Sequence, residues 1–306
     1  MKNNPSRLKG FVKKYGWLQA FLVGAQNVFF CTATLISPKL NTGLHYLKAF
    51  GKWPDLKNPG TLNEKLLWLK LKNMNDPLVI QCADKYRVRA YVRACGCGQY
   101  LNELYGVYDR AEDIPWNELP DRFVVKWNFG AGLNMIFTDR EAFDREGMVR
   151  MLNSWGKKKV WLTHSEMQYK YAPKKLICEQ FLDDGAAGSL TDYKVYCFHG
   201  EPKAILVMHD RNREINTEFF DPAWGRLENA SKYQEAAVAT PTPKCLTEML
   251  DAARRLSAPF AFVRCDFYIV NDRPVFGEMT FTPAGGLYIA QTRIDGREMT
   301  DFLHVP

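Results

Sequence analysis

Two apolar runs near the end of this chain, AFVRCDFYIV and RPVFGEMTF, flank the turn Asn271-Asp272-Arg273. Alternation along a strand puts residues i and i+2 on one face, so Arg264 and Asp266 point the same way. A hairpin then brings Asp266 beside Glu278 on the neighbouring strand. Two carboxylates so placed repel unless a cation lies between them, and all-oxygen ligation suits Mg²⁺ carried by a phosphate ligand. The segment predicts an antiparallel hairpin bearing a nucleotide–metal site. Its plainer reading is a hairpin with solvated acids at its edge.

A chain of 306 residues buries a sizeable core, in one large domain or two lobes. Its net charge of +7 suits anionic partners: nucleotides, acidic glycans or an anionic lipid surface. No nucleic-acid recognition motif accompanies that charge. The eight cysteines show neither zinc spacing nor a disulfide framework, which points to a reducing compartment, the cytoplasm. Lys2, Arg7, Lys9, Lys13 and Lys14 precede a stretch from Tyr15 to Pro38 without one charged residue. Its polar residues weaken a membrane span, and Trp17, Phe21, Leu22, Phe29 and Phe30 fit interfacial attachment of residues 1–38 at the inner face of the membrane. A helix packed on its own domain is the alternative.

Thr61 and Glu64 have capping-box spacing at the head of TLNEKLLWLKLKN, and a second helical pattern runs from Asp76 to about Ala94. Strand patterns follow at 123–127 and from 135, with a helix at about 141–155. Beyond 175 the chain reads mostly as strands, interrupted by a helix at about 242–257 with Thr242 or Thr247 near its start. This is an α+β pattern with a largely antiparallel sheet.

Lys126 ends one strand, and Asn128-Phe129-Gly130-Ala131-Gly132 follows at once. Glycines let backbone amides approach phosphate oxygens, and a lysine supplies a point charge. The order of parts matches neither a protein kinase nor a Walker A loop. Ile177 to Leu182 is an apolar strand ending in a short linker that offers backbone groups to an adenine edge, and Asp192 and Lys194 share a strand face. His199 and His209 read as strand histidines. His164 and Tyr169 lie in a basic, aromatic stretch that either faces an acceptor or is a solvated helix.

That order resembles the ATP-grasp superfamily, and the detailed words resemble its TupA-like branch, named for teichuronopeptide biosynthesis. The likeness runs over about 59–286 and rests on NPGTLNEKLLWLK, DPLVIQCADKYRVRAYV, LPDRFVVKWNFGAG, ICEQFL, DYKVYCFHG and VRCDFYIVNDRPVFGEMTFTPAGG. It implies two α+β lobes clasping a nucleotide. The boundaries expected are a 1–58 extension, a helical lobe at 59–120, a glycine-loop lobe at 121–182 and a metal-bearing lobe at 183–306. By resemblance, Lys126 reaches the α/β-phosphates, and Asn128, Gly130 and Gly132 belong to the flap over the triphosphate. Glu179, Gln180, Phe181 and Leu182 form the adenine hinge, and Lys194 faces phosphate. Asp266 and Glu278 ligate Mg²⁺, and Arg264 steadies charge at the reacting centre.

Two departures qualify this. Thr280 stands where many relatives carry Asn at the metal, its hydroxyl expected to ligate Mg²⁺ or orient a metal-bound water, and Phe129 and Ala131 replace an expected His and Ser. The resemblance implies an ATP-dependent carboxylate–amine ligase acting through an acyl phosphate, joining an acidic glycan or peptide carboxylate to an amine in cell-surface polymer synthesis. Residues 280–286 are the expected acceptor-binding tail. The alternatives are a phosphotransferase acting on a glycan and a degenerate nucleotide-binding scaffold.

Overall fold

The structure, a computed structural model, describes residues 16–139, 144–184, 190–209, 216–227, 234–235, 239–287 and 293–306. Two sheets organise it, antiparallel except where Gln234–Glu235 lies parallel to Asn216–Phe220. The small sheet has the order β1-β4-β2-β3, from Leu104–Tyr108, Phe123–Trp127, Asn134–Phe137 and Leu176–Gln180 for β1 to β4 in chain order. The large sheet runs β11-β10-β5-β6-β7-β8, with β9 beside β7. Its strands β5 to β11 are Asp192–Phe198, Glu201–His209, Asn216–Phe220, Arg226–Leu227, Gln234–Glu235, Phe262–Val270 and Arg273–Thr280. A short pair, β12 (Arg293–Ile294) and β13 (Arg297–Glu298), lies near the end. The helices are α1 (Gly16–Ile36), α2 (Pro38–Phe50), α3 (Leu62–Lys72), α4 (Pro77–Ala83), α5 (Val88–Ala94), α6 (Arg145–Gly156), α7 (Trp161–His164), α8 (Gln168–Tyr171) and α9 (Leu246–Ser257). This is the expected α+β architecture.

Local chemistry sets the boundaries. The Thr61 hydroxyl accepts from the Glu64 amide while the Glu64 carboxylate accepts from the Thr61 amide, closing the capping box of α3. The pattern at 76–94 is two helices rather than one. Asp84 breaks it: its carboxylate accepts from the amides of Tyr86 and Arg87 at 2.8 and 3.0 Å and starts a new turn. Helix α9 begins at Leu246, later than expected, because Pro243 biases Thr242 towards extended backbone.

Strand β5 is buried along its whole length, so the large sheet has two apolar faces to cover. One face packs Val195, Ile205 and Val263 against α9 and against Val79, Val88 and Val92. The other packs Tyr196, Phe198 and Phe262 against Leu62, Leu66 and Leu69 of α3. Helices α3 to α5 thus fill the cores of the large sheet, and the stretch at 59–120, expected as a helical lobe, also supplies β1 to the small sheet. The small sheet has its own core around Phe123, Val125, Trp127, Phe129 and Leu152.

Candidate functional site

A cleft of about 300 Å³ lies between the two sheets. Along β2, Phe123, Val125 and Trp127 are buried, so Val124 and Lys126 face the cleft. Asp192 and Lys194 of β5, Asp266 of β10 and Glu278 of β11 face them, with Val124, Ile136, Phe181, Leu182 and Leu190 as apolar lining.

The carboxylate pair depends on an irregularity. Asn271 and Asp272 both have positive φ, 52° and 58°, and Val270 pairs directly with Arg273, giving a two-residue hairpin turn. Regular pairing continues to Phe267 opposite Phe276, and then Asp266 pairs with Glu278, leaving Gly277 as the extra residue of a bulge. Without it Glu278 would oppose Cys265, whose side chain is in the core. The bulge turns Glu278 from the core to the cleft. A Cβ on Gly277 would stand 3.1 Å from the Asp266 carbonyl oxygen, so the chains approach closely here.

Every site carboxylate of the two sheets has a cationic partner. Arg264 donates to both oxygens of Asp266 at 2.6 Å, and Lys194 bridges Asp266 at 2.8 Å and Asp192 at 3.1 Å. Burial works against ionisation of Asp266, but Arg264 and Lys194 outweigh it and hold its carboxyl below the usual range. Enclosure likewise opposes ionisation of Glu278, and Lys85 at 3.5 Å reverses it. Thr280 accepts from Arg264 at 3.2 Å and lies 3.5 Å from Glu278; it is outside the residues lining the cleft. On the small sheet Glu179 pairs with Lys126 at 2.5 Å and Arg89 at 3.4 Å.

The glycine loop divides into a fixed base and a cleft-facing tip. The Asn128 side chain is fully buried: its amide donates to Asp84 at 2.7 Å and to the Pro173 carbonyl at 2.8 Å, and its oxygen accepts from the Lys175 amide at 2.8 Å. These bonds make the Asn128 side chain an anchor at the base of the loop, and it is not among the residues lining the cleft. Phe129 is buried beside Trp127 in the small-sheet core, so its replacement of a polar residue does not remove a group from the cleft. Gly130, Ala131 and Gly132 line the cleft, the glycines at φ of 68° and 69°.

The hinge residues Glu179 to Leu182 all line the cleft, though the contacts of the Glu179 carboxylate are ionic and the Gln180 amide donates to the Glu103 carbonyl at 3.0 Å. Lys85 and Arg89 also line it, with no role assigned from sequence. Lys85 donates to the Gly130 carbonyl at 2.6 Å, and Arg89 donates to Asn102 at 2.9 Å. Their signal was the Asp84-Lys85 step, where the helix breaks and turns both cations inward.

Beyond β11 the chain turns through Ala284, Gly285 and Gly286, all with positive φ. Thr282 donates to Glu166 at 2.9 Å, and a Cβ on Gly285 would lie 3.8 Å from His164, so the 280–286 tail and the stretch at 164–169 meet. Burial pushes the Tyr169 hydroxyl up, with Glu166 and Glu278 adding to it. His199 and His209 lie outside the cleft lining, His209 bonded to Thr240 at 2.8 Å. Asp266 and Glu278, paired on β10 and β11, are the carboxylates that would hold Mg²⁺, with Asp266 exchanging contacts with Arg264 and Lys194 to do so.

Largely antiparallel sheets closing on a cleft, with a lysine strand and glycine loop on one and a carboxylate hairpin on the other, define an ATP-grasp protein. The sequence model described as TupA-like ATP-grasp matches residues 64–300, and the chain belongs to that family. No curated protein matches it. Among solved structures, D-alanine–D-alanine ligase from Bacillus anthracis is similar at 17% identity over 66% of this chain and 57% of that one, with a TM-score of 0.41. The same ligase complexed with ATP gives 15%, 66%, 54% and 0.39. L-amino acid ligase from Bacillus licheniformis gives 14%, 76%, 48% and 0.44. The chain spans little more than half the length of the two D-alanine–D-alanine ligase structures.

Proposed function

We propose that the chain is an ATP-dependent carboxylate–amine ligase. The observation that carries this is the facing of Lys126 and the loop tip 130–132 by Asp266 and Glu278 across one cleft. ATP occupies the cleft with its base against Phe181 and Leu182 and its phosphates towards Lys126, Lys85 and Lys194. Asp266 and Glu278 hold Mg²⁺, which offsets phosphate charge when bound. The γ-phosphoryl group passes to a substrate carboxylate oxygen, giving an acyl phosphate and ADP. An amine then attacks the acyl carbon, phosphate leaves, and the amine loses a proton to solvent or a nearby base. Arg264, bound to Asp266 at 2.6 Å and outside the residues lining the cleft, would offset charge on the acyl oxygens.

The substrates we assign are an acidic glycan or peptide carboxylate and an amine, within cell-surface polymer synthesis in the cytoplasm. Family membership and the net charge of +7 support this. The buried position of Phe129 weakens the degenerate-scaffold alternative.

Thermal unfolding with Mg-ATP, run beside Asp266→Ala, tests the site. A ligand bound only to the native state at a hundredfold excess over Kd adds about 2.7 kcal/mol. The expected result is a metal-dependent rise in Tm that the variant loses. A wild-type Tm indifferent to Mg-ATP refutes the nucleotide site. Release of phosphate with amide formation separates ligation from phosphotransfer to a glycan, which yields ADP and a stable phosphate ester.

A further inference from the structure

Helix α1 precedes the family-matched residues and exposes a broad apolar surface. Phe30, Ala33 and Thr34 dock on the body at 3–4% exposure. The Thr34 hydroxyl donates to the Leu162 carbonyl at 2.5 Å and lies 2.9 Å from the Ser165 hydroxyl, while the Phe30 ring stacks on His45 at 3.8 Å. From Ala20 to Phe29 every residue of the helix is exposed, so the docking contacts begin at Phe30. The opposite side carries Phe21, Val28, Leu35 and Ile36, exposed at 66, 67, 69 and 71%, with Leu22 and Phe29 beside them at 48 and 55%. Apolar side chains thus dominate the free surface of α1, with Gln26, Asn27 and Thr32 as its polar members. No charged residue interrupts this side, since none occurs between Tyr15 and Pro38.

We infer that α1 lies in the plane of an anionic lipid bilayer, with Phe21, Val28 and Phe29 immersed among the acyl chains. The charge of the chain selects this occupant. Residues 1–14 carry five cations and no acid, a complement to anionic headgroups that a second copy of the same chain lacks. In-plane placement follows from two facts. Among the described residues no helix is long and apolar enough to cross a membrane. The basic run at the N-terminal end also has to stay with the headgroups. The docking of α1 on Leu162 and Ser165 puts that surface next to the stretch that meets the 280–286 tail, so an acceptor held at a bilayer would reach the cleft from the membrane side.

Co-sedimentation of the full chain without nucleotide tests this independently of the ligase reading. The vesicles are phosphatidylcholine alone or phosphatidylcholine with phosphatidylglycerol. The wild type is expected to sediment with the anionic vesicles only, and less so as salt rises. Phe21→Ser, Leu22→Ser and Val28→Ser combined should weaken that binding about tenfold or more with Tm unchanged, as these side chains are exposed on the free side of α1. Equal sedimentation of wild type and variant overturns the inference. Absence of binding to either vesicle also overturns it, and light scattering that shows a wild-type dimer made monomeric by the same substitutions assigns the face to a second copy instead.

Discussion

Phe129 and Ala131 sit two positions apart in the glycine loop and serve opposite sides of it. Phe129 belongs to the small-sheet core, with the Lys174 ammonium 4.9 Å from its ring centroid, whereas Ala131 borders the cleft. Phe129→His should therefore lower stability by about 2–4 kcal/mol in urea unfolding, by leaving a cavity and a buried polar ring. Ala131→Ser should change it by less than about 0.5 kcal/mol. A Phe129→His protein as stable as wild type would show that the ring does not support the core. The sequence presents both as departures in one loop, because a linear order does not say which way a side chain turns after a strand ends. Nor does the linear order show that the Asn128 side chain bonds to Asp84, Pro173 and Lys175 at the base of the loop.

Among the elements, the β10–β11 hairpin was the most legible, since alternation, a turn and two apolar runs all agree. Its bulge was not. Strict alternation through FGEMTF puts Phe276 and Glu278 on one face, and only the extra residue at Gly277 separates a core phenylalanine from a site carboxylate. Gly277→Val should crowd the Asp266 carbonyl, cost about 1–3 kcal/mol and abolish the Mg-ATP rise in Tm. A variant that keeps both its stability and its Mg-ATP response would show the bulge to be incidental. The run at 76–94 carried one apolar period across Asp84, so periodicity hid the break that aims Lys85 and Arg89 at the cleft.

At the scale of the molecule, the family words located both sheets but said nothing of how the N-terminal helices attach. His45 of α2 helps pin them: it bonds the Thr163 carbonyl at 2.8 Å and stacks on Phe30. Burial brings its pKa down from 6.5 to about 4, with His164, Lys70 and Lys48 acting in the same direction and the Thr163 carbonyl opposing them. The stability this neutral ring contributes is complete above pH 6.5. It is lost as pH falls towards 4, because the unfolded chain takes up a proton that the native ring refuses. The loss from this group should be about 2 kcal/mol after solvent screening, and His45→Gln should remove it. Urea midpoints followed from neutral to acid pH check this; identical slopes for both proteins would clear His45 of the role.

The core that joins Leu62 and Leu66 to Met299 and Leu303 spans roughly 240 residues of chain. At ribosomal rates of about 5–20 residues per second, the apolar side of α3 emerges about ten to fifty seconds before its last partners exist. The core around α3 is thus completed only after Met299 and Leu303 have left the ribosome, although Tyr196 and Phe198 reach it earlier.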